Sequence, residues 1–415
     1  MSTPQILVLG GGFAGLWAAV AAARKLDELG QGPNDAQVTL INRDPFHNIR
    51  VRNYEADLTA VRVPLDDILT PIGVHRLEGD VTGIDTSRQQ VTVSTVTGPQ
   101  TLPYDRVVLA LGSQLTRPNL PGLAEFAFDV DTYNGALRLE QHLLSLANAP
   151  ETPGQWTVVV VGAGLTGIET ATEMPGRLRE IQQQTGSTQP IRVILADHNP
   201  RVGSDMGESA RPVIEEALTA LGIETRLGIE VAGVGPRGVT LRSGETIPAV
   251  TVVWCAGMRA NPLGQQLGIE LDRFGRLPVD EFLRVKGVPH TFAAGDVAWG
   301  MLDDHHPSVM SCQHGRPMGR FAGHNVVADL FSLPLLPLRI DWYVTVLDLG
   351  PWGAVYTEGW DRHVVTTGKA AKRTKQTINC QRIYPPLNRN RAEILAAAAP
   401  VVQAPPHTTR PPQDR

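Results

Sequence analysis

Two glycine clusters are the first residues in this chain whose spacing could do chemistry. Gly10, Gly12 and Gly15 form GxGxxG after the apolar run QILVL, and Gly162, Gly164 and Gly167 repeat it within VVVVGAGLTGIETATEM. In such a turn the first glycine permits the tight bend, the second lets backbone approach a pyrophosphate, and the third lets the following helix pack closely. The helix start then offers unpaired N–H groups to the phosphates. An acid ending the next strand completes a dinucleotide site. Asp197, 35 residues beyond Gly162, is so placed: it accepts from a ribose 2′-hydroxyl and repels a 2′-phosphate. His198 and Arg201 lie beside it and work the other way, since both could meet a phosphate. At the first cluster the corresponding residue is Asn42; an amide can still bond a hydroxyl, and Asp44 is an alternative.

The elements that must position these turns follow from periodicity. Strand Gln5–Leu9, glycine turn, helix 16–29 and strand 37–41 make one βαβ unit; strand Thr157–Val161, glycine turn, helix 168–183 and strand 191–196 make a second. Strand-like runs lie between and after them at 90–94, 106–111, 239–241 and 250–254, separated by turn residues. The fold class is therefore α/β, with two Rossmann-like dinucleotide-binding domains plus a smaller C-terminal region. From about Pro334 the composition changes to a Trp- and Tyr-bearing segment, and from about Pro400 it is Pro-, Thr- and Gln-rich, which reads as a disordered tail.

Composition narrows the class. At 415 residues with 42% hydrophobic content the chain can bury two or three cores, and a net charge of -5 gives no basic field, so nucleic acid is not an expected partner. No apolar run reaches the roughly 18 to 20 residues of a spanning helix, and the N-terminus lacks a signal-peptide pattern. The expected location is cytoplasmic, with attachment at the cytoplasmic face of the membrane as the alternative. The three cysteines, Cys255, Cys312 and Cys380, are too scattered for a dithiol or a zinc site, and no metal is expected.

Further along, HTFAAGDVA at 290–298 reads as a strand ending in Gly295–Asp296. With the two glycine turns, this resembles the pyridine nucleotide-disulfide oxidoreductase superfamily. The resemblance implies FAD on the first fold, with Asp296 holding the ribityl chain and Gly295 allowing close approach, and NADH rather than NADPH on the second. It also implies that Glu169 faces the nicotinamide, and that LALGS at 109–113, with Gly112, and WCAGM at 254–258 are the crossings between domains. Without a dithiol, the chain looks like the type II, non-proton-pumping NADH:quinone oxidoreductases over about residues 4 to 335. By that resemblance SCQHG at 311–315 places Gln313 against a quinone carbonyl, although Cys312 departs from the usual alanine. The loop NRDPFHN at 42–48, with Asn42 and Arg43, leads from adenosine toward the flavin, where His47 is a candidate proton donor. Sulfide chemistry is not expected, because Cys255 sits in a crossing motif and reads as a small core residue.

The expected domains are 1–118 with 259–335 for FAD, 119–258 for NAD(P)H, 336–399 for an interface or membrane-contact region, and 400–415 for the tail. From Arg362 to Arg391 there are eight Lys/Arg and no acid, which suits either an anionic membrane surface, a homodimer contact, or packing on the acidic remainder of the protein. Trp342, Tyr343, Trp352, Tyr356 and Trp360 are candidate interfacial anchors or core. The expected reaction is oxidation of NADH with two electrons passed to a quinone or other small acceptor. Two other readings keep both nucleotide sites: a flavoprotein reductase with a soluble acceptor, and an NADH-sensing interaction protein resembling apoptosis-inducing factor.

Overall fold

The computed structural model describes residues 3–406. Two five-stranded parallel sheets organise it. In the first, Gln5–Leu9 lies between Gln37–Asn42 and Arg106–Leu109, with His75–Glu78 and Thr291–Ala293 at the edges. In the second, Thr157–Val161 lies between Arg192–Asp197 and Thr251–Trp254, with Ile223–Leu227 and the short strand Ala127–Phe128 outermost. Thr157–Val161, TVVVV, is buried along its whole length, as a central parallel strand covered on both faces must be. A strand from residues 291–293 completes the first sheet, so this domain is assembled from two chain segments around the second.

Each central strand runs through its glycine turn into a helix, Phe13–Glu28 in the first fold and Leu165–Gln182 in the second. Both helices begin about three residues earlier than periodicity suggested, because the glycine turn itself enters the helix. The first packs against Cys312–Leu330 along a seam of small residues. A β-carbon on Gly319 would lie 2.2 Å from the Ala14 carbonyl oxygen, and one on Gly323 2.1 Å from that of Ala18. Glycine at both positions lets the two backbones touch.

The C-terminal region is an antiparallel sheet, Val344–Asp348, Ala354–Glu358 and His363–Thr367, followed by helix Gly368–Thr377 and a short π-helical turn. Helix formation ends before Pro385–Pro386, consistent with proline's missing donor. Leu347, Leu349 and Val355 of this sheet pack into the core of the second fold. Val344–Asp348 is an edge strand whose only strand partner is Ala354–Glu358.

The basic segment 362–391 is engaged largely by acids of the protein itself. Lys372 and Lys375 pair with Asp348 and Glu169, Arg389 with Asp67 at 3.2 Å and Arg391 with Asp27 at 2.7 Å. Opposite charges on the body of the protein meet these cations, as the reading of packing on the acidic remainder expected, with Lys375 buried and Arg389 and Arg391 still exposed. The aromatics follow: Tyr356 is buried and Tyr343 stacks on Trp360 at 4.5 Å. Among the described residues no helix is long and apolar enough to cross a membrane, and no cluster is placed to hold a metal. The expected disordered tail also begins too early. Val402 packs against the first core and Pro406 accepts from the Tyr356 hydroxyl, while residues 407–415 lie outside the described residues.

The helix seam gives a stability test. Gly323→Ala should cost roughly 1–3 kcal/mol or more by forcing the helices apart, whereas Gly176→Ala, in a helix with open space at the β-carbon, should be neutral or stabilising by up to about 1 kcal/mol. Thermal denaturation of the two variants side by side checks the contrast.

Candidate functional site

The glycine turns divide their labour as the spacing implied. Gly10 and Gly162 have φ of +104° and +111°, which glycine alone adopts readily, and β-carbons on Gly15 and Gly167 would each lie 1.7 Å from the carbonyl oxygen of the first glycine. At Gly12 the space over the turn is open, and neither helix start is capped by a side chain. Open space beside uncapped helical N–H groups is what a pyrophosphate needs, so the first turn fits a dinucleotide as it stands, whereas at the second the Asp205 carboxylate would lie 3.3 Å from a β-carbon on Gly164 and must turn aside.

The strand-end residues hold these turns. Asn42 Oδ1 accepts from the Gly11 N–H at 2.9 Å, and its Nδ2 donates to the carbonyls of Asp44 and Phe46. Both amide hydrogens are thus engaged in fixing the loop, which leaves only the second lone pair of Oδ1 for a ribose hydroxyl. Asp44, exposed, accepts from Phe46 N–H; Arg43, also exposed, sits 3.6 Å from Asp80. Asp197 plays the same part in the second fold, accepting from the N–H groups of Ala163 and Asn199. It lines a cleft at the carboxyl ends of the second sheet together with Gly162, His198, Glu230, Trp254 and Ala256. Arg201, exposed, pairs at 3.3 Å with Glu208, a carboxylate that Arg211 also holds.

Asp296 lies at the carboxyl end of the strand beside the first glycine turn, following Gly295 with its φ of +75°. Ser113 Oγ donates to it at 2.6 Å, and Arg50, 3.9 Å away, bonds the same Ser113 hydroxyl and Asp131. Burial raises the Asp296 carboxyl above the usual carboxylate range, opposed by Ser113 and Arg50. Gly112, at φ +71°, bends the first crossing so that Ser113 reaches this cluster. Arg50 escaped sequence reading because a lone arginine beyond a loop carries no spacing signal.

His47 is fully buried, with Nδ1 donating to the Gly11 carbonyl at 2.9 Å and the Phe13 ring edge-on at 5.0 Å. Burial lowers its pKa to about 4. It is a neutral ring that braces the glycine turn, with no proton on Nε2 to give, which corrects the donor expectation. Cys255 is likewise inert: burial pushes its thiol up to about 12.

The densest chemistry gathers on the unpaired edge of Val344–Asp348. Gln313, beside a Ser311-capped helix start, accepts from the Val344 N–H through Oε1 at 3.3 Å. Lys375 Nζ donates to the Val346 carbonyl at 3.1 Å and to Glu169 Oε1 at 2.5 Å. Glu169 in turn accepts from the Asp348 N–H at 3.2 Å. Asp348 is held by Lys372 and by the Tyr54 hydroxyl. Burial raises the Glu169 carboxyl, with Lys375 opposing it; burial alone would lower Lys375, but Glu169 and Asp348 outweigh it and keep the ammonium charged. The structure thus joins Glu169 and Gln313, 144 residues apart in the chain, through a strand and a lysine. Lys375 was visible only as one cation in a basic run.

This arrangement defines a class: a protein with two dinucleotide folds, each with its glycine turn at the carboxyl end of a parallel sheet, joined through one strand edge. The chain belongs to the pyridine nucleotide-disulphide oxidoreductase family, whose model matches residues 4–319. It is 62% identical, over 97% of its own length and the whole of the relative, to an NADH dehydrogenase-like protein of Mycobacterium tuberculosis. It is 30% identical, over 85% of this chain and 86% of the relative, to a demethylphylloquinone reductase of Synechocystis. Among solved structures, NDH2 from Plasmodium falciparum in complex with NADH matches 96% of this chain and 100% of that one, with a TM-score of 0.75 at 14% identity. The protein is an oxidoreductase of that family, with NADH dehydrogenase-like proteins among its relatives.

The buried histidine sets a pH dependence. The folded-state pKa of His47, about 4, lies below the 6.5 of an exposed histidine, so between those values the unfolded chain binds the extra proton. Stability should be constant above pH 6.5 and fall as the pH drops toward 4, by on the order of 3 kcal/mol from this residue. His47→Gln should make the melting temperature fall less steeply in that window without flattening it, because buried His314, also lowered to about 4, contributes in the same direction.

Proposed function

We propose that the chain oxidises NADH at the second fold and delivers the two electrons, through FAD bound at the first, to a quinone. The observation that carries this reading is the shared strand edge, which sets Gln313 from the first fold beside the Glu169–Lys375 pair that links the second fold to the C-terminal region. FAD, when bound, supplies the two-electron relay between nicotinamide and acceptor. The printed names of relatives, NADH dehydrogenase-like proteins and a demethylphylloquinone reductase, agree with such a reaction.

The chain's own residues orient and charge the site. With its Oε1 tied to Val344 N–H, Gln313 has its amide NH2 left to donate to an acceptor carbonyl; the nearest other group is His314 Nε2 at 3.4 Å. Lys375 Nζ holds a proton beside it in a buried pair with Glu169. Reduction of a quinone to a quinol takes two electrons and two protons; NADH yields the electrons with one proton, and solvent supplies the other. The carboxylate of Asp197 in the cleft favours NADH, so NADPH should reduce the protein at least tenfold more slowly.

A stopped-flow trace tests the acceptor. Gln313→Leu should leave bleaching of the flavin by NADH close to wild type and slow reoxidation by a short-chain quinone by about 10- to 100-fold, the loss of one oriented hydrogen bond or two. Faster reoxidation by ferredoxin or oxygen than by any quinone would replace this reading with a soluble acceptor.

A further inference from the structure

Beside Gln313 lies a second feature that quinone reduction alone does not call for. The cleft it lines, about 550 Å³ including its mouth, is walled by apolar side chains, among them Pro317, Ile340, Trp342 and Ile383, yet three guanidinium groups share it: Arg316, Arg320 and Arg382. Arg316 is 7% and Arg320 2% exposed, and among the described residues none of the three makes an ion pair. Their partners are an aromatic face and a carbonyl. Arg320 lies 4.4 Å over the Trp17 ring and Arg316 5.6 Å from it, and Arg382 donates to Ala404. The Nε atoms of Arg316 and Arg320 are buried without any acceptor. Cys312 in the same wall offers no counter-charge, since burial raises its thiol.

Unpaired cations in an apolar wall are costly, because desolvation of a charge is recovered only by a partner of opposite sign. Burial lowers Arg316 to about 10 and Arg320 to about 9, each also pushed down by a neighbouring arginine. Arginine presents a planar fork suited to a carboxylate or an ionised hydroxyl, and charge-assisted bonds of this kind are strong. Trp342 and the aliphatic wall suit a flat ring on the same ligand.

We propose that this cleft takes an aromatic acceptor carrying an anionic substituent, a carboxylate or ionised hydroxyl, which Arg316 and Arg320 neutralise while the ring reaches Gln313. The inference rests on the quinone reading and narrows it from neutral to anionic quinonoid substrates. The reaction keeps the same balance, two electrons and two protons added to the ring, with the anionic group unchanged.

The test uses the full-length, FAD-loaded protein and a redox-inert pair of probes, 2-naphthoate and its neutral isostere 2-naphthamide, titrated by calorimetry. The carboxylate should bind at least tenfold more tightly than the amide, with affinity falling as salt rises. Arg320→Met should abolish that preference and leave the melting temperature equal or higher, since it removes a buried unpaired charge; Arg316→Met should do the same. Equal binding of both probes, or a preference that survives both variants, overturns the proposal. Turnover separates it from the reading beneath it. Rapid oxidation by neutral 2-methyl-1,4-naphthoquinone with no advantage for the 2-hydroxy analogue leaves quinone reduction standing and removes the anionic preference. Tight carboxylate binding with no oxidation by any quinone removes the parent reading instead, and with it the acceptor role of the cleft.

Discussion

The unpaired edge of Val344–Asp348 is the constraint on which the rest of the site depends. A strand edge presents N–H and C=O groups that must find partners, and most proteins satisfy them with another strand or with water. Here three side chains from three regions do it: Gln313 at Val344, Lys375 at Val346 and Glu169 at Asp348. Alternate residues of a strand point their backbone groups the same way, about 7 Å apart. The strand therefore spaces the amide, the ammonium and the carboxylate at fixed intervals. The C-terminal region is a wall of the site as much as a cover over it. Burying Glu169 is tolerable only because Lys375 and the Asp348 N–H meet it, and removing either cation or strand would leave a charge stranded.

That dependence also explains the basic run near the C-terminus. A stretch with eight cations and no acid reads from sequence as a surface for something anionic. In the folded protein much of its anionic partner is internal. Lys372 and Lys375 reach Asp348 and Glu169 in the site, and Arg389 and Arg391 clip the segment to Asp67 and Asp27 on the first fold. The exposed pairs contribute little each, but they register the segment so that the buried pair forms. Lys369, Arg373, Arg389 and Arg391 remain exposed, the last two in ion pairs.

What was legible in the sequence was what repeats or has strict spacing. The glycine turns, the strands beside them and the acid at Asp197 follow from backbone geometry that few residues satisfy, and they were located to within a few residues. Gln313, Glu169 and Asp296 were found as motif members, but how they meet was not legible, because it depends on a strand packed against two domains at once. Lys375, Arg50 and the Arg316–Arg320 pair carry no local signal: an arginine on a helix looks the same whether its neighbours are water or Trp17. His47 was read as a donor because its loop resembles the segment that leads toward the flavin, and its burial against Phe13 and Gly11 carries no sequence signal.

The two glycine turns, alike in spacing, are held by chemically different groups, and this bears on how each fold treats its nucleotide. The backbone task is the same: the strand-end side chain accepts from the N–H of the residue after the first glycine, Gly11 in one fold and Ala163 in the other. A neutral amide does it in the first and a carboxylate in the second, so the charge at Asp197 is not required by the turn. Asn42 spends its two donors on the Asp44 and Phe46 carbonyls, locking the loop that carries His47 toward the first fold. Asp197 has no donors and lies in a cleft, so its charge acts on whatever enters. One backbone task is thus met by a neutral amide in the first turn and by a carboxylate in the second, so the two seats differ in charge and not in backbone geometry.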